Sequence, residues 1–108
     1  MRLIDHLRVP YVLKAETVEL DDGTWVRRIS YPELPDCVVE AAVVEEALSQ
    51  LERKRIETIV RMAREGRSPP ALRPPLKDSD PGWIAKQVGV ADEDISLIER
   101  DGATVAPT

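Results

Sequence analysis

An α+β fold, with a small antiparallel sheet of three or four strands under one long helix and a short helical appendage, follows from three features of the 108-residue sequence. Residues 11–43 hold β-branched and aromatic runs separated by turn signals. From about residue 43 to 65 the apolar period lengthens to that of a helix. Residues 67–81 then carry five of the chain's nine prolines and end that unit. A chain of this length supports one modest core and not two large ones, so one main domain with a small appendage is expected.

The first strand is "YVLKAETVEL", residues 11–20, with Tyr11, Leu13, Thr17, Val18 and Leu20 as its strand formers. "DDGT" follows as a turn, Gly23 being free to take positive φ, and "WVRRIS" (25–30) returns as the second strand of a hairpin. In "YPELPDC" (31–37) Pro32 and Pro35 remove two backbone donors and bias Tyr31 and Leu34 toward extended backbone, which predicts a rigid elbow. "CVVEAAV" (37–43) predicts a short third strand alongside the hairpin.

Over residues 43–65, Val44, Leu48, Leu51, Ile56, Ile59, Val60, Met62 and Ala63 share one broad arc, as expected of a helix lying on a sheet. Gly66 suits the left-handed position that closes it. Glu52 and Arg55 intrude on the arc at i,i+3 spacing; a local ion pair with snorkelling stems and an inter-subunit contact both fit them. "RSPPALRPPLKDSDP" (67–81) predicts a semi-rigid extended linker. The domain plan is therefore residues 1–66, the linker 67–81, and a short helical segment 82–108, with two helices around a turn at Gly89 and a frayed tail from "DGATVAPT".

The formal net charge is −5, and residues 77–108 carry seven of the acids against three cations. A field of that sign disfavours non-specific nucleic-acid binding and favours a basic protein as partner. No run approaches the ~20 apolar residues of a membrane helix. The charged "MRLIDHLRVP" does not resemble a signal peptide, and the single cysteine fits a reducing cytoplasm.

Candidate chemistry is sparse. His6 stands alone, with no metal-ligand spacing around it, so neither metal nor cofactor is expected. Cys37 lies among valines, where a thiol behaves as a small hydrophobe. The acid clusters at Asp21–Asp22, Glu45–Glu46 and Asp92–Asp94 fit turns and helix starts better than paired acid–base roles, and the five glycines make no phosphate loop. These features predict a binding protein and not an enzyme.

Hairpin, elbow, third strand and helix in that order resemble the HicB-like antitoxin family over residues 11–70. The family's elbow pattern, aromatic-Pro-acid-Leu-Pro-Gly-Cys, stands here as Tyr31, Pro32, Glu33, Leu34, Pro35, Asp36 and Cys37. Its acidic pair followed by Ala-Leu is matched by Glu45, Glu46, Ala47 and Leu48, and its close after the helix by "EGRSPP". Asp36 replaces the usual glycine, so the backbone there must be reachable by an L-residue. Ala42 and Val43 replace the usual Asp and Thr, removing an N-cap worth about 0.5–2 kcal/mol, and packing of Val43 and Val44 is expected to hold the helix start instead.

The resemblance implies a partial ribonuclease-H-like sheet without that fold's catalytic carboxylates, which masks a small basic RNA-cleaving, HicA-like toxin. It places partner contacts on Tyr31, Pro32, Glu33, Leu34, Asp36, Glu45 and Glu46. Residues 84–102, "IAKQVGVADEDISLIERDG", resemble the middle two helices of Cro-repressor-type helix-turn-helix domains. That implies operator contacts from Lys86, Gln87, Ser96 and Arg100 and a role as operon autorepressor, although Asp92, Glu93 and Asp94 open the second helix with the wrong sign for phosphate. A helix pair docked on its own or a neighbouring subunit, anchored by Trp83, is the other reading of this segment. Small sheets leave edges to cover, so a homodimer or higher homo-oligomer is expected, with Glu52, Arg55 and Trp83 as contact candidates. A solitary HicB-like scaffold without a toxin is the alternative function.

Overall fold

The computed structural model describes residues 1–105, with side chains through residue 100. Among these, the elements are α1 (Leu3–Leu7), β1 (Lys14–Glu19), β2 (Trp25–Ser30), β3 (Val38–Ala41), α2 (Val44–Arg64), α3 (Pro81–Gln87) and α4 (Asp92–Val105). The fold is α+β: a three-stranded antiparallel sheet in the order β1-β2-β3, packed against the 21-residue α2, with two short C-terminal helices.

The hairpin forms where the turn signal predicts. Gly23 takes φ 85°, its N–H donates to the Leu20 carbonyl, and Asp22 accepts from the Thr24 N–H at 2.9 Å. Register pairs Ala15, Ile29 and Val39 on the face toward α2, and Glu16, Arg28 and Glu40 on the opposite face. There Arg28 reaches Glu40 at 2.6 Å and Glu16 at 3.8 Å, so a ladder of alternating charge crosses all three strands. β1 begins at Lys14 and not at Tyr11, because distant segments hold the residues before it: the Val12 N–H donates to the Glu33 carboxylate at 2.9 Å, and the Tyr11 side chain is tied by its hydroxyl to the Pro70 carbonyl at 2.7 Å.

The elbow closes on itself. The Tyr31 N–H donates to the Cys37 carbonyl at 2.9 Å and the Leu34 N–H to the Tyr31 carbonyl at 3.0 Å, while Pro32 and Pro35 sit exposed at positions that need no donor. Leu34 and Cys37 turn inward to the core. Asp36 takes φ 53°, a left-handed conformation that an L-residue reaches at some cost and that aspartate tolerates better than most.

Along α2, Ala47, Leu51, Arg55, Ile56, Ile59 and Val60 are buried, and Gly66 follows with φ 74° as expected. One expectation fails at its start. Val43 is an N-cap with no side-chain bond, and it and Val44 are largely exposed, so packing does not hold this terminus. Glu45 and Glu46 in the first turn supply the favourable charge there. Ala63 at the far end is also exposed.

Residues 67–80 contain no helix or strand, and they are strapped along the body rather than spanning a gap. Arg73 grips Glu33 with two bonds at 2.8 and 3.0 Å, the Leu76 N–H donates to the Arg8 carbonyl at 2.8 Å, and Arg8 donates to the Ser79 carbonyl at 3.0 Å. Pro81 belongs to α3 as its first residue, where the missing N–H costs nothing, and Asp80 caps it by accepting from the Trp83 N–H.

The C-terminal helices share the main core: Ala85, Val90, Ile95 and Ile98 cluster with Leu7, Ile29, Leu51, Ile56 and Ile59. Gly89 turns the chain at φ 79°, and the Val90 N–H returns to the Ala85 carbonyl. Trp83 does not anchor this docking, since it is 60% exposed while the smaller Pro81 and Ala85 are buried. The expected tail is helical through Val105, and the rest of it, 106–108, lies outside the described residues. The structure adds α1, for which the sequence offered no signal. It starts with the Asp5 carboxylate accepting from the Arg2 N–H and from Arg2 Nε, each at 3.2 Å, and it buries His6 and Leu7.

Candidate functional site

The elbow is tied to α2 by a network of polar groups set inside the fold. Arg55, only 6% exposed, donates from Nε to Glu52 Oε1 at 3.1 Å, from Nη2 to Glu52 Oε2 at 3.0 Å and from Nη1 to the Leu7 carbonyl at 2.9 Å. The Tyr31 hydroxyl donates to Glu52 Oε1 at 2.6 Å. The sequence expectation of an ion pair is met, but the guanidinium is buried and does not snorkel. It closes the free carbonyl at the end of α1. Burial works to raise the Glu52 pKa, and the charge and hydrogen bonds of Arg55 together with the Tyr31 hydroxyl outweigh it and hold the carboxyl below its ordinary value. Burial, reinforced by the bond to Glu52, pushes the Tyr31 phenol well above its ordinary value. Neither group is poised for proton transfer near neutrality.

Above this network, between the core and the proline strap, lies a cleft of about 290 Å³ walled by Arg8, Tyr11, Tyr31, Glu52, Arg55 and Ser79. Its charged groups are engaged with one another or with backbone carbonyls. The Tyr11 and Tyr31 rings stand 6.2 Å apart at a tilt of 59° beside it.

The seven residues implied as partner contacts divide sharply. Leu34 is core, Tyr31 is half-buried with its hydroxyl on Glu52, and Glu33 is clamped by Arg73, whose hydrogen bonds, with that from the Val12 N–H, hold its carboxyl below the ordinary range. These three shape the elbow. Pro32, Asp36, Glu45 and Glu46 are exposed. Asp36 precedes β3 and Glu45 follows it, so the structure sets them at opposite ends of that strand, roughly 15 Å apart at ~3.3 Å per strand residue. No ion pair engages Asp36, Glu45 or Glu46 among the described residues. Arg73, which fixes the elbow from 40 residues away, escaped sequence reasoning; an arginine between two proline pairs is the only hint of it.

The C-terminal candidates are differently placed. Lys86 pairs with Glu99 at 2.8 Å across the two helices, and Asp94 pairs with Arg64 of α2 at 2.8 Å. Gln87, Ser96 and Arg100 are exposed, and Asp92 and Glu93 stand exposed at the start of α4.

His6 is buried with its Nδ1 lacking a hydrogen-bond partner, and burial lowers its pKa. Cys37 is buried, and burial raises its thiol despite Lys54 and Arg55 nearby. Among the described residues no group of three His, Cys, Asp or Glu could hold a metal ion, and no helix is long and apolar enough to cross a membrane. No family model matches the chain, and neither a curated protein nor a solved structure matches it.

Proposed function

We propose that this chain is a HicB-like, non-enzymatic antitoxin that acts in the cytoplasm by binding and neutralising a small basic, RNA-cleaving toxin. The observation that carries the reading is the exposed acid set Asp36, Glu45 and Glu46, which no cation among the described residues engages, on a protein of net charge −5. Such groups lose little on meeting Lys and Arg from outside, and they speed encounter with a basic surface. The elbow motif and its register with the helix support the family assignment.

Operator binding has less support, because Lys86 is engaged by Glu99 and three acids open α4. A second reading, a homo-oligomeric scaffold without a toxin, is favoured by the outer edges of β1 and β3, which pair with no further strand among the described residues.

Co-expression with any small basic protein encoded beside this chain tests the proposal. The expected result is relief of that protein's toxicity and recovery of a complex, with Asp36→Lys/Glu45→Lys/Glu46→Lys weakening the complex. Absence of a basic neighbour, or no complex with it, refutes the antitoxin reading; a stable homo-oligomer in its place supports the scaffold.

A further inference from the structure

The core-facing stripe of α2 runs further than the core does. Val44, Leu48, Leu51, Arg55 and Ile59 follow one another at i+4 or i+3 spacing on one face. The last three are buried, whereas Val44 and Leu48 are 43% and 42% exposed. The reason lies in the sheet. α2 packs on β2 and β3, and the inner-face residues of β1, Ala15, Thr17 and Glu19, remain exposed. The result is a groove of about 290 Å³ lined by Ala15, Glu16, Thr17, Arg27, Ile29 and Val44, continued along the same sheet face by Trp25, which is 59% exposed.

We propose that this groove is the docking site of a basic amphipathic helix from a partner protein, lying beside α2 as a second helix on the sheet. The proposal rests on the reading of this chain as the binder of a basic protein. The fit follows from spacing. Strands lie ~4.8 Å apart, so β1 is about 7 Å to the side of the β2–β3 midline under α2, and a helix packed at the usual 8–10 Å from α2 sits over β1 and its free edge. The six residues of β1 run for roughly 20 Å, about 13 residues of helix. Small Ala15 and Thr17 make the floor, and Val44, Leu48 and Trp25 offer apolar contact.

Charge selects the partner. Glu19 and Asp21 at the hairpin end and Glu45 on the helix flank have no ion pair among the described residues, and these three acids outnumber Arg27, the cation in the groove lining, which donates to the neutral Thr17 hydroxyl and keeps its charge. A second copy paired edge to edge does not fill the space. Antiparallel β1–β1 pairing would extend the sheet but hold the two α2 helices four strand spacings apart, about 19 Å, leaving both grooves empty.

The test is calorimetric titration of the chain with the small basic protein encoded beside it, using wild type, Leu48→Asp, Val44→Asp and Trp25→Ser, with circular dichroism confirming the fold of each. These side chains are exposed, so the fold is expected to persist. Expected is a loss of roughly 30-fold or more in affinity for Leu48→Asp, as for a central contact, and movement of the Val44 and Leu48 methyl resonances on complex formation. If the wild type binds and all three variants bind within about threefold of it, the groove assignment falls while the antitoxin reading stands. If the wild type does not bind, both fall. A wild-type dimer that Leu48→Asp splits into monomers overturns the proposal in favour of a second copy.

Discussion

Replacing Arg55 by methionine keeps most of the apolar stem while deleting the guanidinium that joins α1, α2 and the elbow. Two groups lose partners. The Leu7 carbonyl, at the end of α1 beside a side chain only 1% exposed, loses its 2.9 Å bond, and an unsatisfied buried acceptor costs about 1–3 kcal/mol. The Glu52 carboxylate loses its bidentate partner and keeps the Tyr31 hydroxyl. Breaking a fully buried pair costs about 3–5 kcal/mol, and because the Glu52 side chain is 30% exposed, water recovers part of that. Together these place the loss at about 3–4 kcal/mol. Urea unfolding monitored by circular dichroism measures it as a lower midpoint at unchanged slope. Glu52→Gln added to Arg55→Met removes the stranded charge, so the double variant should be about 1–2 kcal/mol more stable than the sum of the single changes predicts. A loss below about 1 kcal/mol for Arg55→Met, or strict additivity in the cycle, would show that this network does not hold the elbow to the helix.

Asp36→Gly relieves the left-handed backbone at φ 53° and should stabilise the chain by about 0.5–1 kcal/mol, after the extra flexibility of unfolded glycine is deducted; a destabilisation in the same urea assay contradicts this account of the elbow. Val43→Asp supplies the missing N-cap and should add about 1 kcal/mol, read as a rise in thermal midpoint. Burial lowers the His6 pKa from 6.5, so the unfolded chain binds a proton that the folded chain resists. Its stabilisation is therefore complete above that value and is lost as pH falls below it, at no more than about 1.4 kcal/mol per pH unit. Unfolding measured between pH 7.5 and 5.5 should show this slope in wild type and not in His6→Gln.

Legibility followed the range of the interaction. β2 was readable from "WVRRIS" and its preceding turn, and α2 from a period sustained over 21 residues with Gly66 at its close, because each signal lies within the element it specifies. α1 has five residues, too few for a period, and depends on the Arg2–Asp5 bonds and on α2 beneath it. Of the candidate contact surface, the elbow's shape was legible and its chemistry less so. Nothing adjacent to Glu33 or Tyr31 shows that Arg73 and Glu52 will engage them.

The amino-acid sequence by itself determined where the chain turns, where its helical period begins and ends, the acidic balance of the chain, and the rigid elbow, since proline geometry, glycine conformations and residue spacing act locally. Only the tertiary structure decided which charges are internal and which face solvent. Arg55 is buried because α1 offers it a carbonyl, Lys86 is engaged because α4 returns beside α3, and the proline segment is a strap because Arg8, Tyr11 and Glu33 hold it. Val44 and Leu48 carry the same apolar signature as Leu51, and they stay exposed because a single helix does not cover a three-stranded sheet.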